Sequence, residues 1–291
     1  MTDVGVVVLN YNRYDETIRC VESLLTQSDI NLKIVIVENG SSNESLERLE
    51  DKFEDFSNIT LLSSDENLGF AKGMNLGIDH LRSENVGFIF LANSDLIFTE
   101  QHILYDMLKM NKPGVGVICP FIQNTDGSYG VNCSFKKKLL WARICKTFIE
   151  GEFKWFKRRI IKKRYPDGKS VNLKPKPKPQ AKGRENIVLT DKFVVTGSGY
   201  MYTPQFFEVY SRMYPCTFLY NEEYATCLYL QKAGLSTAWA DTKPIIHKHG
   251  ASTPAKSSQS KEFVKKIHKG GRRTIIRLMF MSKEEIIKRY C

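Results

Sequence analysis

The sequence has no long apolar run and no Cys-x-x-Cys pair, and both absences narrow the classes of protein to which it can belong. No apolar stretch approaches the roughly 18 residues that a membrane-spanning helix needs. The first apolar run, Val4–Leu9, is too short for a signal peptide and follows no basic residues. The seven scattered cysteines favour reduced thiols over a disulfide framework or a zinc site. We therefore expect a cytoplasmic protein, either soluble or peripheral on the inner face of the plasma membrane.

Positive charge is concentrated in one segment of the chain. The 291 residues carry a formal charge of +11, and 42% of them are apolar, which is enough for a core in one or two domains. Residues 134–184 hold 13 Lys and 5 Arg against 3 acids, a local charge of +15. The rest of the chain therefore sums to −4, so the net positive charge comes from that segment.

Short apolar strands alternate with helical patterns through the first 92 residues. Strands are predicted at 4–12, 33–43, 58–64 and 86–92, with helices between them. Because each strand is apolar on both faces, the pattern predicts an α/β fold with a mostly parallel sheet covered by helices on both sides. Ligands of such sheets bind beyond the carboxyl ends of the strands. Three of those ends read LNYNR, VENGS and ANSD.

The second half is less regular. A strand broken by Gly-Ser-Gly is predicted at 193–202, and a helix runs from near Asn221 to Gly234. The Lys-Pro repeat at 174–179 is predicted to be an extended linker. We divide the chain into a nucleotide-sugar-binding half, a basic aromatic-rich helical insert with its linker, an acceptor and catalytic half, and a basic helical tail, at 1–133, 134–184, 185–252 and 253–291.

The strand FIFLANSDL ends in three polar residues, Asn93, Ser94 and Asp95. These residues favour turns through hydrogen bonds from side chain to backbone, so a surface turn is one interpretation. A ligand site is the other, because side-chain oxygens follow a strand that belongs in the core.

Six motifs in order carry a resemblance to a known family. VVVLNYNR, VENGSSNES, NLGFAKGMN, LANSD, FLYNEE and HKHG occur over roughly residues 4–252. The chain resembles family-two glycosyltransferases of the GT-A (Rossmann-like) fold, especially rhamnosyltransferase-like enzymes that build bacterial capsular and cell-surface polysaccharides. The resemblance implies a nucleotide-diphospho-sugar donor, a glycan or lipid-linked glycan acceptor, and a divalent metal, Mn²⁺ or Mg²⁺.

The resemblance also implies roles for individual residues. Asp95 would hold the metal in a motif where the family has Asp-x-Asp, with His247 or His249 completing the site. The residues implied to bind the nucleotide-sugar are Asn10, Tyr11, Arg13, Glu38, Asn67, Gly69, Lys72, Asn75, Asn93 and Ser94. Several of these positions also fit ordinary turns, helix starts or N-caps.

Glu222 and Glu223 stand where the family carries its acidic pair at a helix N-terminus. Inverting transfer needs a base to take the proton of the acceptor hydroxyl. Position favours Glu223 for this role, and adjacent helical residues point about 100° apart, so the two cannot face the sugar equally. The alternative interpretation is that both acids only stabilise the helix N-terminus, where the helix macrodipole favours negative charge.

The basic segment interleaves cations with aromatic residues, including Trp141, Phe148 and Trp155. This pattern is typical of an interfacial helix on an anionic membrane. A solvated face and nucleic-acid binding are the competing interpretations, the latter being disfavoured.

The hypothesis is an inverting, metal-dependent glycosyltransferase that moves a hexosyl or deoxyhexosyl group from a UDP- or dTDP-sugar. Its acceptor would be a hydroxyl of a lipid-linked surface-polysaccharide intermediate. The alternative is a non-catalytic relative that binds a nucleotide, a glycan or nucleic acid. Asn93 in place of an acid, and Ala225 where many family members have a further Asp, keep that alternative open.

Overall fold

A computed structural model describes residues 1–128, 197–248 and 258–291. The basic insert, the Lys-Pro linker and His249 lie outside the described residues. Within the described ranges, no helix has the length and apolar character required to cross a membrane.

Ten strands and eight helices are found in the described ranges. The strands are β1 Thr2–Asn10, β2 Ile30–Asn39, β3 Ile59–Ser64, β4 Phe88–Asn93, β5 Leu96–Ile97, β6 Val115–Cys119, β7 Ile122–Asn124, β8 Gly199–Tyr202, β9 Ser236–Trp239 and β10 Ile245–His247. The helices are α1 Tyr14–Leu24, α2 Ser45–Phe53, α3 Phe70–Ser83, α4 Ile103–Leu108, α5 Pro204–Phe207, α6 Glu222–Ala233, α7 Ser258–Phe280 and α8 Lys283–Tyr290.

Seven strands form one mixed sheet in the order β3-β2-β1-β4-β8-β6-β9. The pairs among β3, β2, β1 and β4 are parallel, as the apolar runs predict, and β9 is parallel to β6. Strand β8 is antiparallel to both β4 and β6. The strand from the second half of the sequence therefore lies inside the sheet begun by the first half, and the two halves share one sheet. The predicted α/β fold with a mostly parallel sheet is confirmed.

Two apolar layers cover the sheet. Alternate residues of β1 face opposite layers: Val7 belongs to one, and Val6 and Val8 to the other. Helix α3 lies close to β1 because Gly77 has no side chain. A Cβ at Gly77 would be 2.4 Å from Val7 Cγ1, too close for the helix to keep its place.

The C-terminal helices pack against α6. Ile275, Leu278 and Met279 of α7 are buried in the same layer as Leu228 of α6. The ammonium group of Lys232 donates hydrogen bonds to the carbonyls of Met279, at 3.1 Å, and of Met281, at 2.5 Å. A cation thus satisfies carbonyls at the C-terminal end of α7, where helical carbonyls lack intrahelical partners.

A small second sheet, β5-β10-β7, connects the end of β4 to the C-terminal half. In the antiparallel pair of β5 and β10, Leu96 is opposite His247. This pairing brings His247 beside Asp95, although about 150 residues separate them in sequence.

Candidate active site

The carboxyl ends of β1 and β2 are joined by a buried polar network. Asn10 is fully buried. Its side-chain oxygen Oδ1 accepts a hydrogen bond from Thr17 Oγ1 at 2.8 Å, and its side-chain nitrogen Nδ2 lies 3.5 Å from Glu38 Oε1. The Glu38 carboxylate accepts hydrogen bonds from the backbone N–H groups of Gly40 and Ser41 and from the Ser41 hydroxyl. Asn10 and Glu38 therefore hold the two strand ends in register, and Glu38 shapes the turn that follows β2.

Tyr11 and Arg13 are exposed at the rim of this strand edge. Between them, Asn12 has a left-handed backbone (φ 57°), and its side-chain oxygen accepts a hydrogen bond from Ser42 N at 2.8 Å. The turn after β1 is thereby fixed against the turn after β2. Both side chains are therefore exposed beside a turn that hydrogen bonds hold in place.

The loop before α3 is held by Asn39, at the end of β2. Its side-chain oxygen accepts a hydrogen bond from Leu68 N at 3.1 Å, and its amide donates to Asn67 Oδ1 at 3.2 Å. Gly69 has a φ of 78°, and a Cβ there would lie 2.5 Å from the carbonyl oxygen of Phe218. Only glycine fits this conformation and this close approach. Exposed Lys72 follows in the first turn of α3.

Asn75 is directed away from a ligand role by its hydrogen bonds. Its amide donates to the carbonyl of Met213 at 3.0 Å, and its side-chain oxygen accepts from Met213 N at 3.1 Å. The side chain is buried and ties α3 to the segment between α5 and α6.

Asp95 and His247 form a buried acid–imidazole pair at the end of β4. Asp95 Oδ1 lies 3.2 Å from His247 Nε2. This buried oxygen accepts no hydrogen bond among the described residues. Ser198 Oγ lies 3.4 Å from His247 Nδ1, and Ser198 O accepts a hydrogen bond from Asn93 N. Ser94 is buried next to Asp95.

This pair fits a divalent cation. A buried carboxylate oxygen without a hydrogen-bond partner is costly unless a cation or proton meets it. Carboxylate, amide and imidazole groups suit Mn²⁺, and oxygen ligands suit Mg²⁺. Within the described ranges, no three His, Cys, Asp or Glu side chains come together. Asp95 and His247, with Asn93 near them, could hold a cation whose remaining ligands are water or a diphosphate.

Glu222 is buried at the start of α6. The pKa of its carboxyl is raised to about 7, mainly by burial and in part by the charge of Glu223, while the backbone and the Thr217 hydroxyl partly oppose the rise. Oε1 of Glu222 and Oγ1 of Thr217 lack good hydrogen-bond partners among the described residues. Glu222 is therefore shielded from bulk solvent.

Glu223 is half-buried, and burial raises the pKa of its carboxyl as well. A Cβ on Gly197 would lie 3.8 Å from Glu223 Oε2. Gly197 is followed by Ser198, which contacts both His247 and the backbone of Asn93. Glu223 and His247, the partner of Asp95, therefore both lie beside the Gly197–Ser198 turn.

The turn before α6 has a backbone that non-glycine residues rarely adopt. Tyr220 and Asn221 have φ values of 69° and 75°. Such backbone strain persists where the surrounding contacts hold the chain in place, and it is common at functional sites. Here the carbonyl of Phe218 accepts a hydrogen bond from Phe70 N at 2.6 Å, and Gly271 of α7 packs against Asn221. The turn before the acidic pair is thus in contact with both the loop before α3 and α7.

Sequence reasoning did not single out Thr17, Asn39, Ser198 or Thr217. Asn39 follows a strand and precedes Gly40, so the Asn-Gly pair signals a turn, but nothing local indicates that its amide reaches Asn67. Ser198 lies in the predicted Gly-Ser-Gly break, and only the position of β8 in the sheet brings it to His247.

Known proteins resemble this chain in sequence. The model of "Glycosyl transferase family 2" matches residues 5–165, which is more than half of the chain. The teichoic acid poly(glycerol phosphate) polymerase of Staphylococcus epidermidis is 27% identical over 121 residues, 41% of this chain and 16% of that protein. The chain spans less than half the length of the curated relatives it matches.

Solved structures share the fold. The mannosyltransferase PcManGT of Pyrobaculum calidifontis, solved with GDP-Man and Mn²⁺, aligns with a TM-score of 0.54 and 12% identity over 98% of this chain and 67% of its own. S. aureus TarS 1-349, solved with UDP-GlcNAc, aligns with a TM-score of 0.54 and 11% identity over 96% and 70% of the two chains. The fold is GT-A, and the chain belongs to glycosyl transferase family 2.

Proposed function

We propose that this protein is an inverting glycosyltransferase that moves a hexosyl or deoxyhexosyl group from a UDP- or dTDP-sugar to a hydroxyl of a lipid-linked surface-polysaccharide intermediate. One observation carries the proposal: Glu223 and His247, the partner of Asp95, lie beside the same turn, at the carboxyl edge of the sheet. A relative named for teichoic acid synthesis supports an acceptor of the bacterial cell surface.

The donor would bind across the ends of β1, β2 and β4. Tyr11 and Arg13 are exposed beside the base and ribose position, and Glu38 fixes the turn against which the nucleotide rests. Lys72 at the first turn of α3 offers a cation to the diphosphate, close to the helix N-terminus that also favours anions. Asn67 holds the loop before α3 in place and Gly69 has no side chain, so the donor could approach the loop backbone closely.

Asp95, His247 and Asn93 would hold the divalent cation. When bound, the cation stabilises the negative charge that develops on the diphosphate as it leaves. Ser198 would keep the imidazole oriented through Nδ1, so that Nε2 faces the cation and Asp95. The buried Oδ1 of Asp95 would thereby gain the partner that it lacks among the described residues.

Glu223 would act as the base. Its carboxylate takes the proton of the acceptor hydroxyl while that oxygen forms a bond to the anomeric carbon. The bond from the anomeric carbon to the diphosphate breaks, and its electron pair leaves with the diphosphate. A pKa raised by burial brings the base closer to the working pH and makes proton transfer more favourable. Glu222 supports the start of α6 from the buried side.

A nucleotide-sugar panel tests the function. Thermal shift with and without Mn²⁺ would identify the donor, and nucleotide release would then measure its hydrolysis or transfer. We expect turnover with one donor in the presence of Mn²⁺, and its loss in Asp95→Asn and Glu223→Gln. Binding of a nucleotide or glycan without turnover, unchanged in both variants, would instead identify a non-catalytic relative.

A further inference from the structure

One face of α7 is both basic and apolar, and it is exposed. Residues 258–280, the whole of α7, contain seven Lys and Arg and one acid, Glu262. Positions three or four apart share a helix face, and Lys266, Lys269, Arg273, Arg277 and Phe280 follow that spacing and are all exposed. The nearest acids that follow, Glu284 and Glu285, belong to α8, beyond the break at Ser282.

Large apolar side chains lie among these cations. Phe280 is 78% exposed and Ile276 is 42% exposed, one helical turn apart. The opposite side of α7 is the buried one, with Ile275, Leu278 and Met279 in the core. The helix therefore has a structural side packed on the protein and an amphipathic side directed outward. We define the docking face as Lys266, Lys269, Arg273, Ile276, Arg277 and Phe280.

We propose that the docking face binds an anionic lipid surface. Apolar side chains that insert at the headgroup boundary, flanked by cations that attract anionic lipid, are the physical requirements for interfacial binding. A second copy of this chain would bring cations against cations.

The position of α7 relates lipid docking to the proposed active site. Gly271, on the protein side of the helix, packs against Asn221, and a Cβ there would be 3.7 Å from the carbonyl of Tyr220. The strained turn before Glu223 is therefore about one helix diameter, roughly 10 Å, from the docking face. Lipid binding would hold the acceptor side of the cleft near the bilayer surface. This consequence rests on the proposed lipid-linked acceptor, whereas the docking itself does not.

Vesicle flotation of the full chain tests the proposal. The vesicles contain phosphatidylcholine alone or with about 30% phosphatidylglycerol. Each Lys or Arg that contacts the anionic surface should raise the affinity for the vesicle roughly fivefold. We expect wild-type protein to float with the anionic vesicles at low salt, and to be released at about 1 M salt, where screening is strong. Arg273→Glu/Arg277→Glu and Ile276→Ser/Phe280→Ser should each lower the bound fraction at least about tenfold.

Matched controls use exposed residues elsewhere. Arg48→Glu/Lys52→Glu makes the same change in charge at positions four apart on α2, and Tyr105→Ser removes an aromatic side chain that is 38% exposed. Both controls should float like the wild type. Nucleotide release without vesicles should be unchanged in every one of these variants, so that a failure of docking is distinguishable from a failure of the proposed function.

Three results would overturn the proposal. The first is failure of the wild type to float with anionic vesicles. The second is flotation of the docking-face variants as well as the wild type, which would assign lipid binding to another part of the chain. The third is retention on single-stranded RNA that depends on Arg273 and Arg277 but not on Phe280, which would identify a nucleic-acid surface instead.

Discussion

Replacing the buried carboxyl of Glu222 by the neutral amide in Glu222→Gln should make the protein more stable at neutral and alkaline pH. Burial raises the pKa of this carboxyl from an ordinary 4.5 to about 7 in the folded protein. Because the folded state then holds its proton more tightly than the unfolded chain does, stability falls as pH rises from about 4.5 to 7. Glutamine has nearly the same shape and does not ionise, so the variant avoids this loss.

The magnitude follows from the two pKa values. One pKa unit corresponds to 1.36 kcal/mol, so the difference amounts to about 3 kcal/mol above pH 7. Below about pH 4 the carboxyl is protonated in both states, and the two proteins should differ little. For a chain of this size, about 3 kcal/mol corresponds to roughly 6 °C in melting temperature.

Urea unfolding of wild type and Glu222→Gln between pH 4 and pH 8 measures this difference directly. The exposed Glu47→Gln on α2 reports the effect of removing a surface carboxyl. We expect the stability difference to grow through pH 4.5–7 for Glu222→Gln and to remain flat for Glu47→Gln. A difference that does not depend on pH, or a Glu222→Gln protein that is less stable at pH 8, would refute the reasoning.

Three further predictions concern packing around the site. Gly69→Ala should lower stability by more than Gly234→Ala. Both glycines have a positive φ, which strains an alanine by about 1 kcal/mol or more, but only an alanine at position 69 would also contact a backbone oxygen. Equal losses of stability, measured by urea unfolding, would contradict this. Thr226→Val should lower the free energy of unfolding by about 1–3 kcal/mol, because it removes the hydroxyl that hydrogen-bonds both Tyr200 and Tyr202. An unchanged urea midpoint would show that these hydrogen bonds do not stabilise the fold. Lys232→Met should speed amide exchange at the C-terminal end of α7, since two carbonyls lose their donor; wild-type exchange there would argue against that role.

The local pattern of the sequence was sufficient for the parallel part of the sheet. Apolar runs such as that ending at Asn10 are buried on both faces, so their composition alone indicates a central strand. The helix near Asn221 was also predictable, since Gly234 provides the left-handed C-cap that ends it. The resemblance in six ordered motifs then located the edge at which Asp95 and Glu223 lie.

Other features depend on pairings that are distant in sequence. Nothing near β8 indicates that it enters the sheet between β4 and β6, because antiparallel pairing is determined by the partners and not by local composition. Asn75 looked like a donor-site residue, yet its amide is bonded to the backbone of Met213, 138 residues away. The directions of Glu222 and Glu223 likewise required the packing around α6.

The most direct test of the account is a transfer assay that compares Asp95→Asn, Glu223→Gln and the double variant with the wild type, using the donor identified from the panel and Mn²⁺. If the two side chains serve one transition state, each single change should lower kcat/KM at least about a hundredfold, and the double variant should lose much less than the product of the two losses. Transfer within about twofold of wild type in either single variant would contradict the claim that Asp95 and Glu223 act together in one reaction.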